Sequence, residues 1–213
     1  MAVQVAVPST RRVSHRVADM CYAADVSVDG HTTVDIPACA AAGATALANG
    51  VVLTAAGNVV PTVVQNDFVM GRYGRNVTVT AGAGGAGVIV GYDYLGQAMR
   101  ENVTLIAGAV VGKKMFKDVS HVIVPASGTF SIGVGVILGV PYKVLHTALY
   151  GELTSDVPAA AGALLAGVAV QTLTSGDPRG AYTPAAAPDG TRYYRFTCVV
   201  DRSNLHGSAQ ATA

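Results

Sequence analysis

Tryptophan is absent from this chain, and phenylalanine and tyrosine bring the aromatic share to only 6%. Large anchors for a thick core are scarce, and a sugar-stacking platform has few residues to build it. Charge is equally thin. Asp, Glu, Lys and Arg make up 13% of 213 residues, about half the ~25% of an average soluble domain. The balance is +1, so no global field draws the chain to nucleic acid or to a membrane. So little charge protects a solitary domain poorly from association, and the composition predicts a homo-oligomer or part of a larger assembly.

Cysteine is also sparse. Cys21, Cys39 and Cys198 are odd in number and stand at no metal-ligand spacing, which predicts reduced thiols rather than a disulfide framework. Long apolar runs are missing despite a mean hydropathy of +0.42. The uncharged stretches 36–66 and 157–176 are cut by Pro37, Gly43, Gly50, Gly57 and Pro61, and by Pro158 with two glycines. A spanning helix needs roughly 20 apolar residues without such breaks, so both read as strands and turns. Pro8 and the charges within 13–24 speak against a secretory leader.

Motifs of chemistry fail on inspection. Residues 82–87 spell G-x-G-x-x-G, but Val88-Ile-Val90 follows where a dinucleotide fold needs a helix. Residues 108–113 are one short of a phosphate loop, and Lys114 stands where magnesium needs a hydroxyl. The five histidines form no H-x-x-x-H pair, and no G-x-S-x-G surrounds Ser127 or Ser131. The reading is therefore of a protein that is not an enzyme, with no cofactor and no metal. A polysaccharide-acting enzyme on a β-scaffold is the distant alternative, since two acids can meet in any fold.

What is present is strand and turn. Arg192, Tyr194, Phe196 and Cys198 alternate against Tyr193, Arg195, Thr197 and Val199, the period of a half-buried strand. Val3, Val5 and Val7 alternate in the same way. Asp29-Gly30, Asn49-Gly50 and Asp189-Gly190 precede strand-like runs and predict hairpins closed by type I′ turns. Further strands are expected at 61–69, 76–81, 87–92, 101–106, 115–124, 129–136 and 167–173. A turn or two of helix fits 140–150 and, less well, 38–48. About ten short strands with turn signals between them predict an all-β fold, a β-sandwich or jelly-roll-like barrel. We divide the chain into an N-terminal arm (1–24), one β-rich domain (25–207) and a frayed tail (208–213).

Two local features remain. Arg11, Arg12 and Arg16 precede the first acid, Asp19, and are the candidate contacts for an acidic partner; Lys113, Lys114 and Lys117 form a second basic cluster. Asp177-Pro178-Arg179-Gly180 sets a fixed-φ residue between opposite charges, a rigid turn that presents Arg179 to a carboxylate of this chain or of a neighbour.

From Asn76 to Gly207 the sequence carries Gly91-Tyr-Asp-Tyr-Leu-Gly-Gln97, Glu101, Gly112-Lys-Lys-Met-Phe116, Gly133-Val-Gly135 and Leu138-Gly139-Val-Pro141. Asp177-Pro-Arg-Gly180 with Tyr182 and Pro184, then Pro188-Asp-Gly190, complete the series. In these turn signatures the chain resembles small virion proteins of tailed bacteriophages, of the capsid decoration or cement type. The resemblance implies a β-rich, non-enzymatic homo-oligomer on the capsid surface, made in the host cytoplasm. Its partners would be the major capsid protein and sister subunits, with no nucleic acid and no membrane. A tail, fibre or head-surface adhesion component is the alternative.

Overall fold

Where valine alternates with small or polar residues, the chain forms strands. The computed structural model describes residues 30–159 and 162–212. Strand accounts for 55% of the chain and helix for 2%, so the fold is all-β. In order the strands are β1 (His31–Ile36), β2 (Gly43–Leu53), β3 (Gly57–Val59), β4 (Arg75–Ala81), β5 (Gly85–Tyr92), β6 (Ala98–Leu105) and β7 (Gly108–Phe116). They continue as β8 (Asp118–Val124), β9 (Gly128–Gly139), β10 (Val144–Thr154), β11 (Val157–Pro158), β12 (Ala163–Ala166), β13 (Gly180–Thr183) and β14 (Tyr194–Val200). One helical turn, α1 (Asp67–Met70), follows β3; Asn66 caps it by accepting from the Val69 amide at 3.0 Å.

Three antiparallel sheets result, ordered β1-β14-β10-β11, β12-β13-β9-β4-β7 and β3-β8-β5-β6, with β2 also pairing β9. One of the sheets curls into a half-barrel. Twelve-residue β9 ties the molecule together. Phe130, Ile132 and Val134 enter one core with Val77, Val79, Ile89, Phe116 and Val122. Further along the same strand, Leu138 enters a second core with Val34, Ile36, Tyr182, Tyr194 and Phe196. In β14 the expected alternation holds: Tyr194, Phe196, Cys198 and Val200 are buried while Arg195 is exposed. In β6 the inward face reads Met99, Glu101, Val103, Leu105, so one acid occupies a core position.

Several sequence expectations are corrected here. Positive φ is present at Gly30 (+81°), Gly50 (+62°) and Gly190 (+94°), but neither Gly50 nor Gly190 closes a hairpin. Gly30 leads into β1, whose partner is the distant β14, and its carbonyl accepts from Val200 at 2.9 Å; Asp29 lies outside the described residues. Asn49 and Gly50 together oppose the single residue Ser131, a bulge inside β2, and Ser131 Oγ accepts the Gly50 amide at 2.9 Å. The strand before Asp189, β13, ends at Thr183 and lies in a different sheet from β14. The Asp189 carboxylate instead accepts from the Thr191 and Arg192 amides, each at 2.9 Å, an Asx turn that ends before β14 begins.

Residues 61–69 form a coil strap and α1 rather than a strand, and 167–173 pair with nothing as a ladder. The suspected helical stretches 38–48 and 140–150 are loop followed by β2 and β10, because ladder partners on β9 and β14 outweigh alanine propensity. The tail is bonded to the sheet at Ala211. The Ala211 carbonyl accepts from Arg100 at 3.0 Å and the Leu173 carbonyl from Asn102 at 2.7 Å, so tail and loop cover the outer edge of β6. Cys39 and Cys198 are buried free thiols, and Cys21 lies outside the described residues.

Candidate functional site

The turn Asp177–Gly180 sits at the centre of a buried ionic clamp. Arg179 is 1% exposed and its Nη1 donates to Asp93 Oδ2 at 2.8 Å. Its Nη2 lies 3.4 Å from Asp177 Oδ1, at ion-pair distance but outside hydrogen-bond geometry. The guanidinium carbon stands 4.8 Å from the centre of the Tyr94 ring. The carboxylates that face Arg179 thus belong to this chain.

Each acid also does backbone work. Asp93 Oδ1 accepts the amides of Leu95 (2.9 Å) and Gln97 (2.8 Å), which folds the turn between β5 and β6. Asp177 accepts from Arg179 N at 3.0 Å, Met115 N at 3.3 Å and Gln210 Nε2 at 3.4 Å. Tyr94 donates its hydroxyl to the Pro141 carbonyl, and burial pushes its pKa up to about 12. One loop, one turn, β7 and the tail are bound to a single point.

Glu101 extends the clamp. The ladder between β4 and β7 slips between Asn76 and Thr78, leaving Gly112 to Lys114 bulged. Glu101 Oε1 accepts the Lys113 amide at 2.5 Å and Oε2 the Lys114 amide at 3.1 Å, replacing the missing strand partner. Lys114 is fully buried and donates from Nζ to Gln171 Oε1 at 3.1 Å; burial lowers its pKa. A second buried cation, Arg75, donates to the carbonyls of Gly135 (2.5 Å), Ala40 (2.7 Å) and Val69 (3.2 Å), tying the loop before β2 and the end of α1 to β9.

Two glycines of the sequence motifs are explained by close backbone approach. A Cβ on Gly180, where φ is +96°, would meet the Leu165 carbonyl oxygen at 2.2 Å. One on Gly91 would meet the Asp118 carbonyl oxygen at 2.0 Å.

Burial raises the pKa of Glu101 and of Asp177, against the hydrogen bonds and cations that favour their charge. A carboxyl raised on folding binds more protons folded than unfolded at any pH between its two values. Stability therefore grows as pH falls through the raised value towards the ordinary one, 4.5 for Glu and 3.8 for Asp. Asp201 works in the opposite sense: its Ser203 and Lys143 hydrogen bonds hold it down to about 2, so its contribution is lost as pH falls from 3.8 towards that value. Glu101 is expected to add stability as pH falls towards 4.5, so the melting temperature of Glu101→Gln should gain less on acidification than that of the wild type. Identical pH dependence of melting in the two proteins would contradict it.

Exposed apolar side chains form the second feature. Val60, Val63, Val64 and Phe68 stand out along the strap 60–68, with Val64 78% exposed. The strap is fixed beneath them. Thr62 and Val63 donate to the Leu47 carbonyl, and the Gln65 side chain bonds both the amide and the carbonyl of Val119. Leu145, Tyr150, Val157 and Tyr193 are exposed on and beside β10 and β11.

Of the candidate residues, Arg11, Arg12 and Arg16 lie outside the described residues. Asp177, Pro178, Arg179 and Gly180 are buried, not presented at the surface. Asp189 is exposed and pairs with Arg192 at 3.3 Å, not with the clamp. At Gly190 only φ opposes a side chain, since a Cβ meets nothing nearer than Phe68 at 3.5 Å. Gly190→Val is expected to cost about 1 kcal/mol or more, read as a lower urea midpoint; an unchanged midpoint would show that the turn relaxes freely.

Asp93 and Arg75 were not singled out from the sequence as site residues, and Lys114 only as part of a basic cluster. Among the described residues no three of His, Cys, Asp and Glu converge as metal ligands, and no helix is long and apolar enough to cross a membrane. The arrangement locks loops to sheets and presents apolar side chains on a fixed frame. No protein-family model matches the chain, and no curated protein and no solved structure is significantly similar to it.

Proposed function

We propose that this chain is a virion structural protein that binds and stabilises the assembled capsid of a tailed phage, in the manner of a decoration or cement protein. The observation that carries the reading is the apolar strap 60–68, rigidly held and outward-facing on a chain with 13% charge. A row of exposed valines with a phenylalanine is a surface for a protein partner, and anchoring its backbone reduces the ordering cost of binding. Binding the assembled shell better than free shell subunits stabilises the shell by mass action, and several contacts per oligomer add through effective concentration. In this reading Arg11, Arg12 and Arg16 supply a salt-sensitive electrostatic contact to acidic shell surface.

The test is co-sedimentation with empty shells of the major capsid protein encoded in the same genome, beside free shell subunits. Shells are expected to retain the protein and free subunits to retain much less. Val64→Asp with Phe68→Ser should abolish retention while leaving melting unchanged, and raised salt or Arg11, Arg12 and Arg16→Ser should weaken it. In free solution, light scattering should give a mass well above the 21.5 kDa of one chain. Failure of intact protein to bind shells, or equal binding to free subunits, would overturn the reading.

A further inference from the structure

A cavity of about 390 Å³ is lined by four strands of one sheet. Val111 and Met115 of β7, Ile137 of β9, Leu165 of β12 and Ala181 of β13 form most of its wall, with Val168 from the loop after β12. Strands β7 and β12 are the two ends of that sheet, four inter-strand steps apart. Laid flat they would stand about 19 Å from one another, so the sheet bends round the space they share. The entrance is open to water: Val111 on one lip is 55% exposed and Leu165 on the other 53%. In size the cavity falls within the roughly 300–1,000 Å³ of small-molecule sites.

Two charged residues also line it, and they are not equivalent. Asp177 lies at the buried end, and both its oxygens are committed. Oδ1 takes the Arg179 amide and faces the Arg179 guanidinium, while Oδ2 takes Met115 N and Gln210 Nε2. Lys113 lies at the exposed end. Its amide is held by Glu101 Oε1 at 2.5 Å, which fixes the backbone from which the side chain leaves. Its ammonium forms no ion pair with any described residue. Glu101 is the acid nearest to hand, but its oxygens are taken by the Lys113 and Lys114 amides. The cavity thus combines an aliphatic lining with one cation at the mouth that is left for an outside counter-charge. An aliphatic chain asks no hydrogen bonds of such a wall, whereas a peptide would bring amides that need partners.

We propose that this cavity binds an unbranched fatty acid, its chain against Val111, Ile137, Leu165 and Ala181 and its carboxylate on the Lys113 ammonium. The tail gains by leaving water, and the head, at the mouth, keeps part of its hydration, so no charge is buried. The inference rests on the cavity and not on shell binding, so either can fail without the other.

Isothermal titration of the full-length protein with saturated fatty acids, from hexanoate to dodecanoate below their micelle concentrations, tests it. One molecule should bind per chain. Affinity should rise about fourfold with each added methylene until the cavity is full, and level off beyond. Lys113→Gln should weaken decanoate several-fold and leave decanol unchanged. Leu165→Asp should weaken both, and Val111→Asp on the opposite lip replaces it should that variant fold poorly. Val64→Asp, on the strap, is the control and should bind as the wild type does. Binding lost in Val64→Asp and kept in Leu165→Asp would overturn the proposal in favour of adhesion to the strap. Decanoate and decanol affected alike by Lys113→Gln would overturn the place given to the carboxylate. A flat chain-length series, or no saturable binding by any member, would overturn the site outright.

Discussion

Arg179→Ala is expected to lower the free energy of unfolding by about 3–5 kcal/mol, a large part of what holds a domain of this size together. Two buried carboxylates, Asp93 and Asp177, face this one guanidinium, and truncation leaves both without their cation. The ring of Tyr94 loses its stacking partner in the same step. Lysine is no substitute: a single ammonium cannot reach Asp93 and Asp177 with a planar fork and cover an aromatic ring as well. Asp93→Asn should cost less, because an amide oxygen still accepts from Leu95 and Gln97 while Arg179 keeps Asp177. The double change Asp93→Asn with Arg179→Ala should fall short of the sum of the singles, the mark of a coupled pair. Urea unfolding measures all three, with the slope checked for constancy. A shift below about 0.5 kcal/mol for Arg179→Ala would show that the clamp is incidental to the fold.

The strands of this protein were legible where side-chain period alone decides burial. β4, β5, β6, β9 and β14 were all expected within a few residues, because Val, Ile, Phe and Tyr alternate there with small or polar residues. Turn chemistry was legible as conformation but not as connection. Gly30, Gly50 and Gly190 all adopt positive φ, yet a bulge in β2 stands at Gly50 and an Asx turn at Asp189, where hairpins were expected. Local sequence states which φ a residue tolerates; which strand lies alongside depends on contacts far along the chain, such as His31 opposite Val199.

The clamp was half legible for the same reason. Asp177-Pro-Arg-Gly180 announces a rigid turn with an outstretched arginine, but its chief partner, Asp93, lies 86 residues earlier. Glu101 did carry a readable signal. It stands between Met99 and Val103 on the inward face of an alternating strand, where an acid needs a hydrogen-bonding reason to be. That reason, the bulged amides of Lys113 and Lys114, is not visible in the order of residues. Lys113, Lys114 and Lys117 looked like one exposed basic cluster. Instead Lys114 is buried and Lys117 pairs with Asp67 at 2.6 Å.

Gly91→Ala is expected to be as damaging as a change far larger in volume. The ladder between β5 and β8 slips between Val90 and Gly91, which brings the Asp118 carbonyl across the glycine. A methyl group there would sit 2.0 Å from that oxygen and 3.0 Å from the Phe116 ring. Both neighbours are fixed: Asp118 starts β8, and Phe116 is fully buried in the first core. Relief requires β5 and β8 to part, and overpacking of this kind costs about 3 kcal/mol, at the upper end of its usual range. Gly43→Ala is the matched control. Its added methyl meets nothing nearer than the Ala46 Cβ at 3.5 Å, so the same substitution should be neutral or stabilise by up to about 1 kcal/mol through the unfolded chain. The two variants differ by one position and not by chemistry. Equal urea midpoints for the pair would mean that the β5–β8 contact opens without cost, and the rigid frame argued for shell binding would lose one of its seams.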